Sequence, residues 1–83
     1  MKKNNVIQIK SYDFAVKSVM LCKEIMNKEK EYVLSKQLLR SATSIGANVE
    51  EAIGCQSRRD FFAKLTIAYK EARETHYWIR LLK

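Results

Sequence analysis

Proline is absent from the 83 residues, and glycine occurs only twice, at Gly46 and Gly54. Hairpins and sheet-rich folds draw their turns from these residues, so their scarcity argues against a β fold and for an all-α chain. Cysteine and histidine are nearly as scarce. Cys22 and Cys55 lie far apart, and His76 is the single histidine. A zinc site needs about four ligands, usually closely spaced in pairs, and a secreted disulfide framework in so short a chain uses more cysteines. The two thiols therefore read as small apolar residues of a reduced, cytoplasmic protein. Also missing are a glycine-rich phosphate loop, an apolar leader behind Lys2 and Lys3, and any apolar run long enough to span a membrane.

What is present is amphipathic sequence with a basic surplus. Apolar residues make up 47%, too many for a disordered tail even beside 30% charged residues. A chain of this size forms one domain, near the lower limit of what folds unaided. Lys and Arg number 16 against 9 Asp and Glu, a net charge of +7. Such an excess favours a polyanionic partner, although it also serves solubility.

Residues 1–10 read as an N-terminal arm, because Val6 to Ile9 is too short for an independent strand. Residues 11–83 read as one helical domain with helices near 12–27, 32–53 and 58–82. Ser11 or Asp13 offers a side-chain acceptor to cap the first helix. Its seams are Tyr12, Ala15, Val19, Cys22 and Met26, and then Phe14, Leu21 and Ile25. In the second helix, Leu34, Leu38, Leu39, Ala42, Ile45, Val49, Ala52 and Ile53 share a side. Its middle, Ser41 to Ala47, is nearly all small apart from Ile45, which suits a closely approaching neighbour or a bend at Ser44 and Gly46. Gly54 reads as the stop, through its tolerance of positive φ, and Ser57 with Asp60 as a capping box that starts the third helix.

The third helix has more than one committed face. Phe61, Leu65, Ala68, Ala72, Thr75, Ile79 and Leu82 recur at steps of three and four. Ala63, Ile67, Trp78 and Leu81 project elsewhere, with Glu71 and Glu74 among them. A third strip carries Arg59, Lys70, Arg73, Tyr77 and Arg80. One apolar stripe serves a domain's own core, and the second implies a further partner. The expected architecture is an up-and-down helical bundle: three long antiparallel helices of a four-helix bundle, the fourth supplied by another chain or lying beyond Lys83.

The segment QLLRSATSIGANVEEA from Gln37 to Ala52, followed from Ser57 by SRRDFFAKLTIAYKEARETHYWIRLL, resembles the bacterial four-helix bundle proteins encoded in intervening sequences of 23S ribosomal RNA genes. The similarity runs from about Tyr12 to Leu82. Ser44 to Asn48, and Tyr77-Trp78 after Glu71 and Glu74, are its most specific parts. The resemblance implies a ring-shaped homopentamer. A related branch serves diversity-generating retroelements as a basic accessory protein that binds reverse transcriptase and RNA. Most members have no established activity. This chain departs from the pattern in lacking a fourth helix of roughly thirty residues.

No constellation announces an enzyme. Di-metal bundles use Glu-x-x-His pairs; here Glu74 and His76 have the wrong spacing and no second histidine exists. Neither cysteine has a histidine nearby in sequence, and Ser41 and Ser44 sit among packing residues. No cofactor, metal or small-molecule substrate is expected. The expected surfaces are two. Ile67, Glu71, Glu74, Trp78 and Leu81 are read as an oligomer interface anchored on Trp78, with packing of Trp78 beneath a fourth helix of the same subunit an equal alternative. Arg59, Lys70, Arg73, Tyr77 and Arg80, extended by Lys36 and Arg40 and by Lys2, Lys3 and Lys10, contact RNA or a reverse-transcriptase-like partner. The alternative is a structural or protein-interaction module with no nucleic-acid partner.

Overall fold

The computed structural model describes the backbone of residues 2–83 and the side chains from residue 6 onward. Lys2 and Lys3, as side chains in the basic surface, therefore lie outside the described residues. Three helices account for nearly the whole chain: α1 (Lys2–Glu29), α2 (Val33–Gly54) and α3 (Arg58–Leu82). No strand occurs among the described residues. The long axis of the molecule, 44 Å, is about the length of a 28-residue helix at about 1.5 Å per residue, so the helices lie along it.

Residue pairs fix the direction of each packing. Gln8 reaches Glu50, and Gly46 meets Ser11, so α1 and α2 are antiparallel. Lys64 pairs with Glu51 and Thr75 with Ser41, so α2 and α3 are antiparallel as well. Cys22, Leu38 and Ala42 form the buried centre, with Met26, Leu39, Trp78, Ile79 and Leu82 packed around them. The helices approach closely because small residues face each other. Ser35, Ser41, Ala42, Gly46 and Ala52 are all buried on α2. The helix runs unbroken through Gly46, whose hydrogen side chain lets the backbone of Ser11 come against α2.

Both α1 and α3 pack on α2, yet no Cα pair between α1 and α3 comes within 8 Å. They stand at diagonal corners of a square that lacks its fourth member. The unfilled corner is an apolar cleft, lined by Ile7, Phe14, Ile45, Val49 and Ala72 at one end and by Leu21, Ile25, Leu38, Ile79 and Leu82 at the other.

Local signals decide some of the helix ends and tertiary packing the others. The Ser57 Oγ accepts the Asp60 backbone N–H at 3.1 Å, which is the serine half of the expected capping box. The arm is instead the start of α1, whose helix runs nine residues ahead of Ser11. Glu50 anchors that segment through Gln8, and tertiary packing of this kind overrides a weak local start signal. Tyr12 faces solvent rather than the seam; Ser18 and Cys22 hold the buried face of α1. Gly54 is the last residue of α2 and has no positive φ; the left-handed residue is Lys30, φ 55°, just past α1.

The charged run Lys28-Glu29-Lys30-Glu31, which leads from α1 toward α2, also holds a cap that composition does not suggest. The Glu31 carboxylate accepts the backbone N–H groups of Val33, Leu34 and Ser35 and the Ser35 hydroxyl. Three of the donors that a helix start leaves unpaired are thereby satisfied by one side chain. The Leu34 N–H first, then Ser35 and Val33, hold the Glu31 carboxyl below its usual pKa against a smaller opposing desolvation.

Candidate nucleic-acid interface

Helix α3 sorts its charges by face. At about 100° per residue, Arg59, Lys70, Arg73, Tyr77 and Arg80 fall within an arc of about 80°, and all five are exposed. The helix's carboxylates lie elsewhere. Glu71 and Glu74 sit on the edge turned toward α2, where Arg40 reaches both, Glu71 at 3.3 Å. Glu74 also accepts the Trp78 indole N–H at 2.8 Å. Lys64 pairs across the same seam with Glu51 at 2.6 Å, an interaction that raises the lysine's pKa. Among the described residues, Arg59, Lys70, Arg73 and Arg80 have no carboxylate within salt-bridge distance.

Two of these cations rest on aromatic rings. Arg73 lies 6.0 Å from the Tyr69 ring centroid and donates to its hydroxyl at 3.3 Å. Arg80 lies 5.8 Å from the centroid of Tyr77. Both separations are within cation–π range. Tyr69 was not singled out by the sequence reading. Its spacing of four from Arg73 was the available signal. His76, exposed, lines a shallow basic cleft with Ala72, Arg73 and Arg80.

The outlying cations do not join this strip. Arg40 pairs with Glu71 and Glu74 within the same chain. Lys36 stands exposed one turn earlier on α2, and Lys10 belongs to α1, on the rim of the unfilled corner. Of the expected interface residues, Trp78 packs on the core cluster and is only partly buried. Ile67 and Leu81 remain 40% and 49% exposed. A further apolar strip was missed: Ile9, Tyr12, Val16 and Met20 on the outer side of α1, all exposed.

Neither thiol is bonded, and burial pushes the Cys22 thiol upward, away from the reactive thiolate. Among the described residues, no group of three His, Cys, Asp or Glu is placed to hold a metal ion, and no helix is long and apolar enough to cross a membrane.

These features can be set beside known proteins. No curated protein matches the chain. A crystal structure from Bacteroides thetaiotaomicron, of a protein with unknown function from the S23 ribosomal protein family, superposes with a TM-score of 0.94 at 59% identity. The match covers 96% of this chain and 71% of that one. The family model described as 23S rRNA-intervening sequence protein matches residues 2–83, the whole of the three-helix array including the segment ahead of Ser11. With fold, sequence and extent in agreement, this chain belongs to the 23S rRNA-intervening sequence protein family.

Proposed function

We propose that this protein is a non-enzymatic, oligomeric helical-bundle protein whose α3 surface contacts RNA or an RNA-associated protein. The observation that carries the reading is the separation of charge on α3. Its glutamates are drawn into the α2 seam by Arg40, while Arg59, Lys70, Arg73 and Arg80 stay unpaired among the described residues on the outer side. Unpaired cations in a row suit a phosphate backbone, whose bound counterions they release. The resemblance to retroelement accessory proteins supplies the form of a protein partner, a reverse-transcriptase-like one. Two free thiols favour a cytoplasmic location.

Assembly rests on the apolar surface. The outer strip of α1, with Ile67 and Leu81 on α3, leaves large hydrophobic side chains exposed in number. Patches of that kind mark interaction sites, and a ring of five copies is the form the family resemblance implies. The same surface supports the second reading, a protein-interaction module without nucleic acid.

One comparison separates the two. Reversing Arg73 and Arg80 to Glu should weaken binding to unrelated RNAs and flatten the dependence of log affinity on log salt. Reversing Lys17 and Lys23 on α1 changes net charge equally. Equal losses from the two reversals would leave a basic protein without a nucleic-acid site. Light scattering at micromolar concentration tests assembly; a monomer would refute it.

A further inference from the structure

Resting on the basic-surface reading above, we infer that α3 takes single-stranded RNA in preference to duplex, by stacking bases on Tyr69 and Tyr77. Phosphate attraction alone does not select the single strand, since the duplex carries the denser charge. The two tyrosines do. Tyr69 is 61% and Tyr77 47% exposed, so neither ring is a core residue whose apolar area explains its place on the surface. Each carries its own arginine, Arg73 four residues on and Arg80 three residues on.

The pairing prepares both partners. A guanidinium lying against a ring has less rotamer freedom to lose when it meets a phosphate. The ring and the guanidinium are both planar π surfaces on which a base can stack. Duplex RNA keeps its bases stacked inside and offers these side chains only its backbone. A single strand offers both bases and phosphates. Along the helix the two rings are eight residues apart, about 12 Å, roughly the rise of three to four stacked nucleotides at about 3.4 Å each. Arg73 falls between them, where the intervening phosphates pass. Trp78 reports on the site, because its ring meets that of Tyr77 edge-on at 5.2 Å.

The test uses the full chain and three labelled probes of equal length at one salt concentration: an unstructured oligoribonucleotide, the duplex of the same sequence, and an abasic strand. The oligoribonucleotide should bind tighter than the other two and change Trp78 fluorescence. Tyr77→Leu or Tyr69→Leu should weaken it about 5- to 150-fold for each stacked base lost, with the salt slope unchanged and a distinctly smaller loss for duplex and abasic strand, where only the placing of the arginine suffers. Tyr→Phe should retain binding. Both tyrosines are exposed, so the variants keep the fold, which circular dichroism checks. Equal affinity for all three probes, or Tyr→Leu variants that bind the strand like wild type, overturns stacking. The basic-surface reading then survives only if the Arg73/Arg80 reversal still weakens binding more than the Lys17/Lys23 reversal does; if it does not, both fail.

Discussion

Gly46 is the residue whose replacement the structure prices most directly. A Cβ built there would lie 3.3 Å from the Ser11 carbonyl oxygen, 3.7 Å from its carbon and 3.9 Å from its Cβ. The nearest atom is helix backbone, so it cannot swing aside as a flexible side chain would; α1 itself must move. Gly46→Ala gains about 1 kcal/mol of helix propensity and gives some of it back to that contact, so the net change should stay within about 1 kcal/mol of zero. Gly46→Leu is different. The rest of its side chain has no room in the α1–α2 seam, and overpacking costs about 1–3 kcal/mol. In a domain of this size each 1 kcal/mol moves the melting temperature by about 4–8 °C, so the loss is readily seen. Gly54 is the internal control, because a Cβ there meets nothing within 4 Å. Thermal melts at one protein concentration, needed because assembly also shifts the midpoint, should rank Gly46→Leu well below wild type and Gly54→Leu beside it. A Gly46→Leu variant that melts with wild type would refute the claim that the two helices meet closely there.

Two further outcomes test the polar contacts between and before the helices. Thr75 donates to Ser41 at 2.9 Å across the buried α2–α3 seam; Thr75→Val keeps the shape and should cost about 1 kcal/mol, read as a lower urea midpoint with an unchanged slope. Glu31 has its pKa lowered by the amides it caps, so its stabilisation is full above the ordinary glutamate range and is lost as pH falls through the lowered folded value. Glu31→Gln should therefore melt lower than wild type at neutral pH, with the gap closing in acid; a gap independent of pH would show that the charge is irrelevant to the cap.

The fold was legible because it is carried by periodicity, which needs no knowledge of neighbours. Leu38, Ala42, Val49 and Ala52 announce the buried side of α2 by spacing alone, and the Ser57 cap is a local hydrogen bond within one turn. Most of what failed depends on partners distant in sequence. The helical segment ahead of Ser11 leans on Glu50. The Glu31 cap, although local, was hidden in the alternating charges Lys28-Glu29-Lys30-Glu31, where each residue looks equally solvated. Tyr12 fits a helical seam by spacing, but which side of α1 faces α2 is decided by the smallness of Ser18 and by the Gly46 contact with Ser11. The site was legible in part. The strip on α3 follows from a helical wheel, whereas the loss of Arg40 to Glu71 and Glu74 could be known only once α2 and α3 were docked.

That docking explains how a modest surplus of charge becomes a directed surface. Five carboxylates occupy places between or before helices: Glu31 caps α2, Glu50 meets Gln8, Glu51 meets Lys64, and Glu71 and Glu74 share Arg40. Negative charge is held at the seams, and the outward side of α3 is left with cations. Each seam pair is worth little alone, since exposed ion pairs contribute about 0–1 kcal/mol. Their larger effect is on placement. With Glu71 and Glu74 drawn to Arg40 on the α2 side, Arg59, Lys70, Arg73 and Arg80 have no carboxylate within salt-bridge distance among the described residues. Releasing Glu71 and Glu74 by Arg40→Met would let them swing toward the strip, so the RNA binding proposed for the outer face should weaken in that variant by more than the loss of one charge at Lys17 produces.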